Sequence, residues 1–331
     1  KKDLCFKYVR PDSIHLSGTF EKISISGYDI KKIFVSGATF ESLYIGEFII
    51  NTDIDALTIF TTATETGNII VKGQRIKELF LSGTNGDKKF EFENIKCDSV
   101  DINDFINNGT LNFYGLGPID LNSDKRYFQI INSNLEKTQF FRTYFSNYIE
   151  LIIIDSFITE VLFIACQWSN NIRALHGPGT GIFDESLKTG RKISQEEVFA
   201  IKEAYRQLKI SMSKHSDKIQ ENKFYAEELT FHNKTLSWST PCKNEFWDKL
   251  ILSWSKNFSD YGQSFIRPLL WLLGGHLFLF IMVLIFGGFE PLHISLCNAT
   301  AEGFKIAFEK YFLYINPLRR VETSLSGYLI L

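Results

Sequence analysis

Few residues in this chain have types and spacings that could do chemistry. His176-Gly177-Pro178-Gly179-Thr180-Gly181 sets three glycines and a proline within six residues, a composition whose backbone N–H groups could cradle a phosphate. No Lys-Ser or Lys-Thr pair follows to complete a P-loop, and an interdomain turn is the simpler reading. The five cysteines (Cys5, Cys97, Cys166, Cys242, Cys297) are far apart and odd in number. They show no CxxC or Cys/His spacing for zinc and no disulfide framework. The acids Glu91, Glu93, Asp98, Asp101 and Asp104 fall at strand edges and turns, whereas a glycosidase needs two carboxylates facing one bond. With no Ser/His/Asp order, HExxH or Rossmann glycine pattern, neither enzyme activity nor a cofactor or metal is expected.

Three further residues could serve a pore. His276 lies inside an uncharged run, where an imidazole either lines water and titrates or bonds to a neighbouring helix. Glu302 and Glu309 lie on an amphipathic stretch, Ala301–Phe312, and would form rings favouring cations if several copies met there. Their alternative is an outer loop with ordinary surface acids.

The elements that would position these residues differ in period. From residue 12 to 113 a short apolar-x-apolar unit recurs every nine to twelve residues, from Ile14-His15-Leu16 and Ile23-Ser24-Ile25 to Val100-Asp101-Ile102 and Leu111-Asn112-Phe113. Such alternation gives strands with one face in a core. Four units end in Ser-Gly, at Gly18, Gly27, Gly37 and Gly83, and Gly46, Gly73 and Gly115 hold the comparable corner. An antiparallel meander and a solenoid with two strands per coil both fit this beat. The solenoid is favoured, because hairpins would show Asn-Gly at every second turn and only Asn85-Gly86 and Asn108-Gly109 do. Phe128–Ile131, Ile149–Ile154 and Val161–Cys166 are more apolar and read as a fully buried end of the array, which the following helices could cap.

Ser194 before Gln195-Glu196-Glu197 marks a helix start, and Val198, Ile201, Tyr205, Leu208 and Met212 give it one apolar face. Ser216-Asp217 opens a second helix running to about Trp238, with Ile219, Ala226 and Leu229, and the two form an αα-hairpin. Lys202, Arg206, Lys209, Lys214, Lys218 and Lys223 make either a polyanion surface or a solvated face with paired acids. A third helix begins near Lys243. Its Trp247, Trp254, Phe258 and the adjacent Tyr261 are rings suited to a water–lipid boundary.

Pro268 through Phe289 holds 22 residues with no Asp, Glu, Lys or Arg. At 1.5 Å per residue that is about 33 Å, enough for a hydrocarbon core of about 30 Å. Lys249, Lys256 and Arg267 precede this run closely and only Lys305 follows within about twenty residues, which places the soluble body in the cytoplasm. The chain is therefore expected to divide into a β-repeat domain (1–170), a helical connector (171–267), a transmembrane helix (268–289), a pore-helix-like or outer loop (290–324) and the start of a second span (325–331). Both ends read as cuts in a longer protein. Charge follows the same division: 17 basic and 22 acidic residues in 1–170, a net of −5; 15 and 12 in 171–267, a net of +3; four of each in 268–331. The overall −2 and a mean hydropathy of −0.05 exclude a many-span transporter and a histone-like nucleic-acid binder. Disorder is excluded by the 44% hydrophobic content, which is ample for a core.

β-Repeats, then Tyr205-Arg206-Gln207-Leu208-Lys209, then Tyr261-Gly262-Gln263-Ser264-Phe265-Ile266-Arg267-Pro268, then Tyr314-Ile315-Asn316-Pro317-Leu318 together form a recognisable series. This arrangement resembles a family of bacterial β-repeat (pentapeptide-like) proteins ending in a two-span ion-channel-like module, among them the membrane effectors of Hailong anti-phage systems. The repeats here depart from a strict pentapeptide rule, and the second span is essentially missing. The resemblance implies a homo-oligomeric channel, with a tetramer the leading expectation, in the bacterial inner membrane. It also implies gating by a single-stranded oligodeoxyadenylate made by a partner nucleotidyltransferase, with the pore depolarising the membrane once that inhibitor is lost. A single strand needs cations beside stacking rings. Arg126, Arg142 with Tyr144, Arg173, and Arg191-Lys192 are the local clusters of that kind. The plainer alternative is a membrane-tethered interaction module without a pore.

Overall fold

The computed structural model describes residues 3–7, 12–26, 30–46, 53–62, 67–168, 172–173, 194–241 and 243–286, the side chains of 172, 173, 280 and 283–286 excepted. The chain divides into two compact units, Lys1–Leu252 and Ser253–Leu331.

The first unit is a β-solenoid followed by helices. Its strands among the described residues are β1 (Leu4–Lys7), β2 (Ser13–Thr19), β3 (Lys22–Ser26), β4 (Lys32–Thr39), β5 (Ser42–Ile45), β6 (Ile54–Thr61), β7 (Asn68–Lys72) and β8 (Arg75–Thr84). They continue as β9 (Lys89–Glu93), β10 (Lys96–Ile106), β11 (Thr110–Tyr114), β12 (Tyr127–Ile131), β13 (Thr138–Phe141), β14 (Glu150–Ile154), β15 (Leu162–Ile164) and β16 (Ile172–Arg173). Odd strands form one eight-stranded sheet and even strands the other, and each strand pairs with the next but one. Every pairing is parallel, for example Val100 of β10 beside Leu79 of β8 and Phe128 of β12. A meander would pair neighbours antiparallel, so the register decides for the solenoid.

Parallel stacking puts like residues above like. Ile14, Ile33, Leu57, Leu79, Val100, Phe128 and Leu151 form one inward ladder. In the other sheet Ile25, Ile45, Val71, Phe92, Phe113, Phe140 and Phe163 form a second, with aliphatic residues giving way to rings. Phe92, Phe113, Phe140 and Phe163 stack successively at 4.9, 5.0 and 5.4 Å between centroids. Each fully buried ring contributes about 1.5–3 kcal/mol of transfer free energy, and stacking adds about 0.5–1.5. That sum over coils is what holds the array.

Corners follow columns too. Gly73, Asn94, Gly115, Arg142 and Ala165 all take positive φ after the odd strands. The N–H of each of the first four reaches the carbonyl one coil on, at 2.6–2.9 Å. Gly46 departs from the expectation: its φ is not positive. Gly27 lies outside the described residues. Asn85-Gly86 and Asn108-Gly109 are corners between the two sheets, not hairpins.

The end of the array departs from the reading as fully buried. All five residues of β14 are buried, but β15 is half-exposed, since the helices cover only part of the last coil. Helix α1 (Gln195–Lys214) opens with a complete capping box between Ser194 and Glu197. It buries the expected face, Val198, Ile201, Tyr205, Leu208 and Met212, together with Ala204 and Ser211. Helix α2 (Lys218–Thr235), capped by Asp217, ends short of Trp238 and packs on α1 as the second arm of the hairpin. Its inward residues are Phe224 and Ala226, whereas Ile219, expected on that face, is 74% exposed. Gln207 Oε1 accepts from Ile158 N at 2.9 Å, and Ser211 Oγ donates to Val161 O at 2.6 Å. Ile201, Tyr205, Leu208, Met212 and Phe224 thus belong to the solenoid core, and the hairpin serves as its cap.

Helix α3 (Asn244–Ser259) carries no buried residue. Helix α4 (Ile266–Phe286) coincides with most of the uncharged run. Among the described residues no helix is long and apolar enough to cross a membrane.

Candidate functional site

Corners between the odd and even strands gather part of the basic and aromatic set. Arg126 and Arg142-Tyr144 occupy successive corners on one edge of the solenoid. Arg126 is held inward: Nε donates to Ser123 O at 2.8 Å and Nη1 to Asn147 O at 2.6 Å, tying its corner to the next. Arg142 is exposed and holds a left-handed corner, φ 50°. Tyr144 is half-buried, with its backbone N–H on Leu116 O at 3.0 Å and the Lys96 ammonium 6.0 Å from its ring centroid. Arg173 ends β16, paired in register with Ile152 of β14. Arg191, Lys192, the glycine-rich turn 176–181, Glu302 and Glu309 lie outside the described residues. His276 is half-buried in α4.

The same edge carries acids with structural work. Asp98 Oδ1 accepts from Ile119 N at 2.7 Å and Asp120 N at 3.2 Å, shaping the corner before Arg126. Elsewhere Glu93 pairs with Lys72 at 2.7 Å and Glu91 with Lys89 at 2.8 Å. On the outer face of β10, burial raises the Asp101 carboxyl above its ordinary range, against a hydrogen bond from Gln129 that lowers it. Its Oδ1 is buried without a hydrogen-bond partner. Burial likewise pushes the Cys166 thiol up to about 11 and the Cys97 thiol higher still, so both stay protonated. Among the described residues no group of His, Cys, Asp and Glu has the arrangement of a metal site.

The basic hairpin resolves into pairs. Glu203 accepts from Arg206 at 2.5 and 2.7 Å, and this contact lowers the glutamate and raises the guanidinium. Lys209 meets Glu228 at 2.6 Å, Lys218 meets Glu221 at 2.7 Å, and Lys214 meets Glu160. Lys202 lies over the Phe199 ring at 4.6 Å. Four of the six cations, Arg206, Lys209, Lys214 and Lys218, are thus charge-paired, as on a solvated face.

Sequence reasoning missed a buried polar ladder. Asn85 Nδ2 donates to Asn107 Oδ1 at 2.6 Å, and Asn107 Nδ2 donates to Thr138 Oγ1 at 2.9 Å and Glu136 O at 2.5 Å. Asn85 Oδ1 accepts from Asn108 N at 3.0 Å and Gly109 N at 3.2 Å. The Asn-Gly and Asn-Asn-Gly corners, with Asn85 and Asn107 22 residues apart, were the signal for it. A ladder so satisfied fixes coil register and has no free valence for a ligand.

The other unpartnered surface is apolar. Trp247, Ile251, Trp254 and Phe258 of α3 are exposed, and so are Leu269, Leu270, Trp271, Leu272, Leu273, Leu277, Phe278 and Leu279 of α4. Tyr261, expected among the boundary rings, is buried instead. Apolar exposure of this kind is unusual for a surface that meets water alone. Comparison with protein-family models, curated proteins and solved structures returns no match.

Proposed function

We propose that this chain is a membrane-embedded, oligomeric, ion-channel-like effector whose solenoid body governs the pore. The observation that carries the membrane part is α4: from Leu269 to Leu279 eight of eleven residues are large apolar groups exposed to the surroundings, the others being Gly274, Gly275 and His276. Water would oppose that arrangement by roughly 25 cal/mol per Å2, whereas acyl chains or further copies of the helix would not. The uncharged sequence continues to Phe289, long enough for one crossing.

The pore, its tetrameric assembly and the anti-phage role in the bacterial inner membrane rest on the resemblance. So does the inhibitory oligodeoxynucleotide, with its partner nucleotidyltransferase. Arg142 and Tyr144 are the pair whose exposure suits such a ligand, since the Arg126 guanidinium is committed to two carbonyls. His276 would line or brace the pore. Potassium flux from vesicles carrying the reconstituted protein, together with its mass in detergent, tests the reading. Flux and a multimer are expected. A monomer without flux would leave the tethered interaction module in its place, for which the long parallel solenoid is the supporting observation.

A further inference from the structure

We propose that α3 is an in-plane membrane helix, seated at the phospholipid interface through Trp247, Ile251, Trp254 and Phe258. The inference rests on the reading of α4 as a membrane span and adds a second contact, made by a helix that does not cross. The four residues recur at i, i+4, i+7 and i+11. At 100° per residue they fall within about 60° of arc, while Glu245, Lys249 and Lys256 fall on the far side and Asp248 lies on the flank, about 90° from the centre of the stripe. They are 52, 63, 60 and 39% exposed, and no residue of α3 is buried. Three of the four are aromatic, the type whose flat amphipathic body prefers the headgroup boundary to either water or the acyl interior.

Charge and continuity choose lipid over a protein partner. The Lys249 ammonium is turned away from the stripe, donating to Asn233 O at 3.1 Å and Leu236 O at 2.5 Å and lying by Trp238 at 5.6 Å. The stripe also runs on into α4. The Phe258 ring stacks on Trp271 at 4.8 Å and 27°, and Trp271 Nε1 donates to Asn257 O at 3.3 Å. Arg267 caps the end of α3 by donating from Nη1 to Lys256 O at 3.1 Å, and it faces Asp260 at 3.4 Å. Asp260, Tyr261 and Gly262 all take positive φ, so the chain turns sharply with Phe265 left 87% exposed at the bend. The elbow is thereby pinned at its inner side and apolar at its outer side. Whatever solvent covers Trp271 also meets Phe258.

The five tryptophans supply the test. Full-length variants keep Trp168, which packs against the core, plus one of Trp247, Trp254 or Trp271, with the remaining tryptophans changed to Phe. Each is reconstituted in phosphatidylcholine–phosphatidylglycerol vesicles with brominated or ordinary acyl chains, and a Trp168-only protein gives the baseline. At least about twofold quenching of Trp247 and Trp254 by bromine is expected, with Trp168 unchanged. Quenching of Trp271 without Trp247 and Trp254 would overturn the in-plane helix and leave the span standing. Quenching of none would overturn both. Trp254 shielded from bromolipid and from aqueous acrylamide alike would mean that protein covers α3, which also overturns the proposal.

Discussion

The indole of Trp168 meets the ring of Phe224 edge-on, 5.0 Å between centroids at 88°. Trp168 follows the last long coil of the solenoid and Phe224 is the inward ring of α2, so this contact fastens cap to array. Trp168 also stacks on Phe145 at 4.8 Å and meets Phe163 edge-on at 4.8 Å, joining the interior column of rings to the hairpin. A parallel array otherwise ends in open strand edges and bare core.

Replacing Trp168 with Ala should therefore cost about 2–4 kcal/mol, since the indole and Phe163 are only partly buried while Phe145 and Phe224 are buried. Ile219→Ala, a large apolar truncation on the same hairpin at an exposed site, should stay within about 0.5 kcal/mol. Urea midpoints at unchanged slope compare the two. Equal effects would mean that the ring contact does not hold the cap.

The Asn ladder makes a second prediction. Asn107→Ala strips Asn85 Nδ2 and Thr138 Oγ1 of a partner each inside the coil stack, where both residues are buried. A loss of about 1–3 kcal/mol is expected. Asn107→Asp should be worse, because a carboxylate there cannot donate to Glu136 O and carries its charge into the core. An Asp variant as stable as wild type would show that the ladder is wet.

The same ladder explains what could be read beforehand. Solenoid strands were legible where two inward positions were apolar, as in Leu79-Phe80-Leu81 or Phe90-Glu91-Phe92. Strand β13 was not, because its inward pair is Thr138 and Phe140, and Thr138 is tolerated only through Asn107, 31 residues away. Corners were legible as glycines but not as Asn94, Asn132, Asp155 and Arg142, which take the same left-handed φ. Among the binding candidates, the role of Arg126 was hidden for a related reason. Its acceptors are backbone carbonyls of Ser123 and Asn147, which no side-chain pattern marks. The apolar run of α4, by contrast, stood out at once, since it needs no partner to be recognised.

Two glycines separate conformational strain from close approach. Gly18 and Gly83 have similar backbones, φ 99° and 95°, but a Cβ at Gly18 meets open space, whereas at Gly83 it would lie 1.9 Å from Thr61 O. Gly18→Ala should cost only the strain, about 1–2 kcal/mol. Gly83→Ala must also push neighbouring coils apart and should cost more than 3 kcal/mol or so, enough to lower expression of folded protein. Thermal unfolding of the pair checks this, and equal losses would place the two coils further apart than the contact implies.

Asp101 gives the pH prediction. Burial raises its folded pKa above the unfolded value of 3.8, so the protonated carboxyl is the form the fold favours. Its contribution to stability is then fully present below 3.8 and is lost as pH rises through the raised folded value. At neutral pH the buried Oδ1, without a hydrogen-bond partner, bears part of a charge the fold does not compensate. Asp101→Asn keeps the shape and the hydrogen bond to Gln129 but removes the ionisation. The variant should be more stable than wild type near pH 7, with the advantage shrinking toward zero as pH falls below the carboxylate range. Denaturation curves for both proteins at several pH values read the difference directly. A variant less stable than wild type at neutral pH would show that the ionised carboxylate is held there by a cation, and that the outer face of β10 is a binding surface.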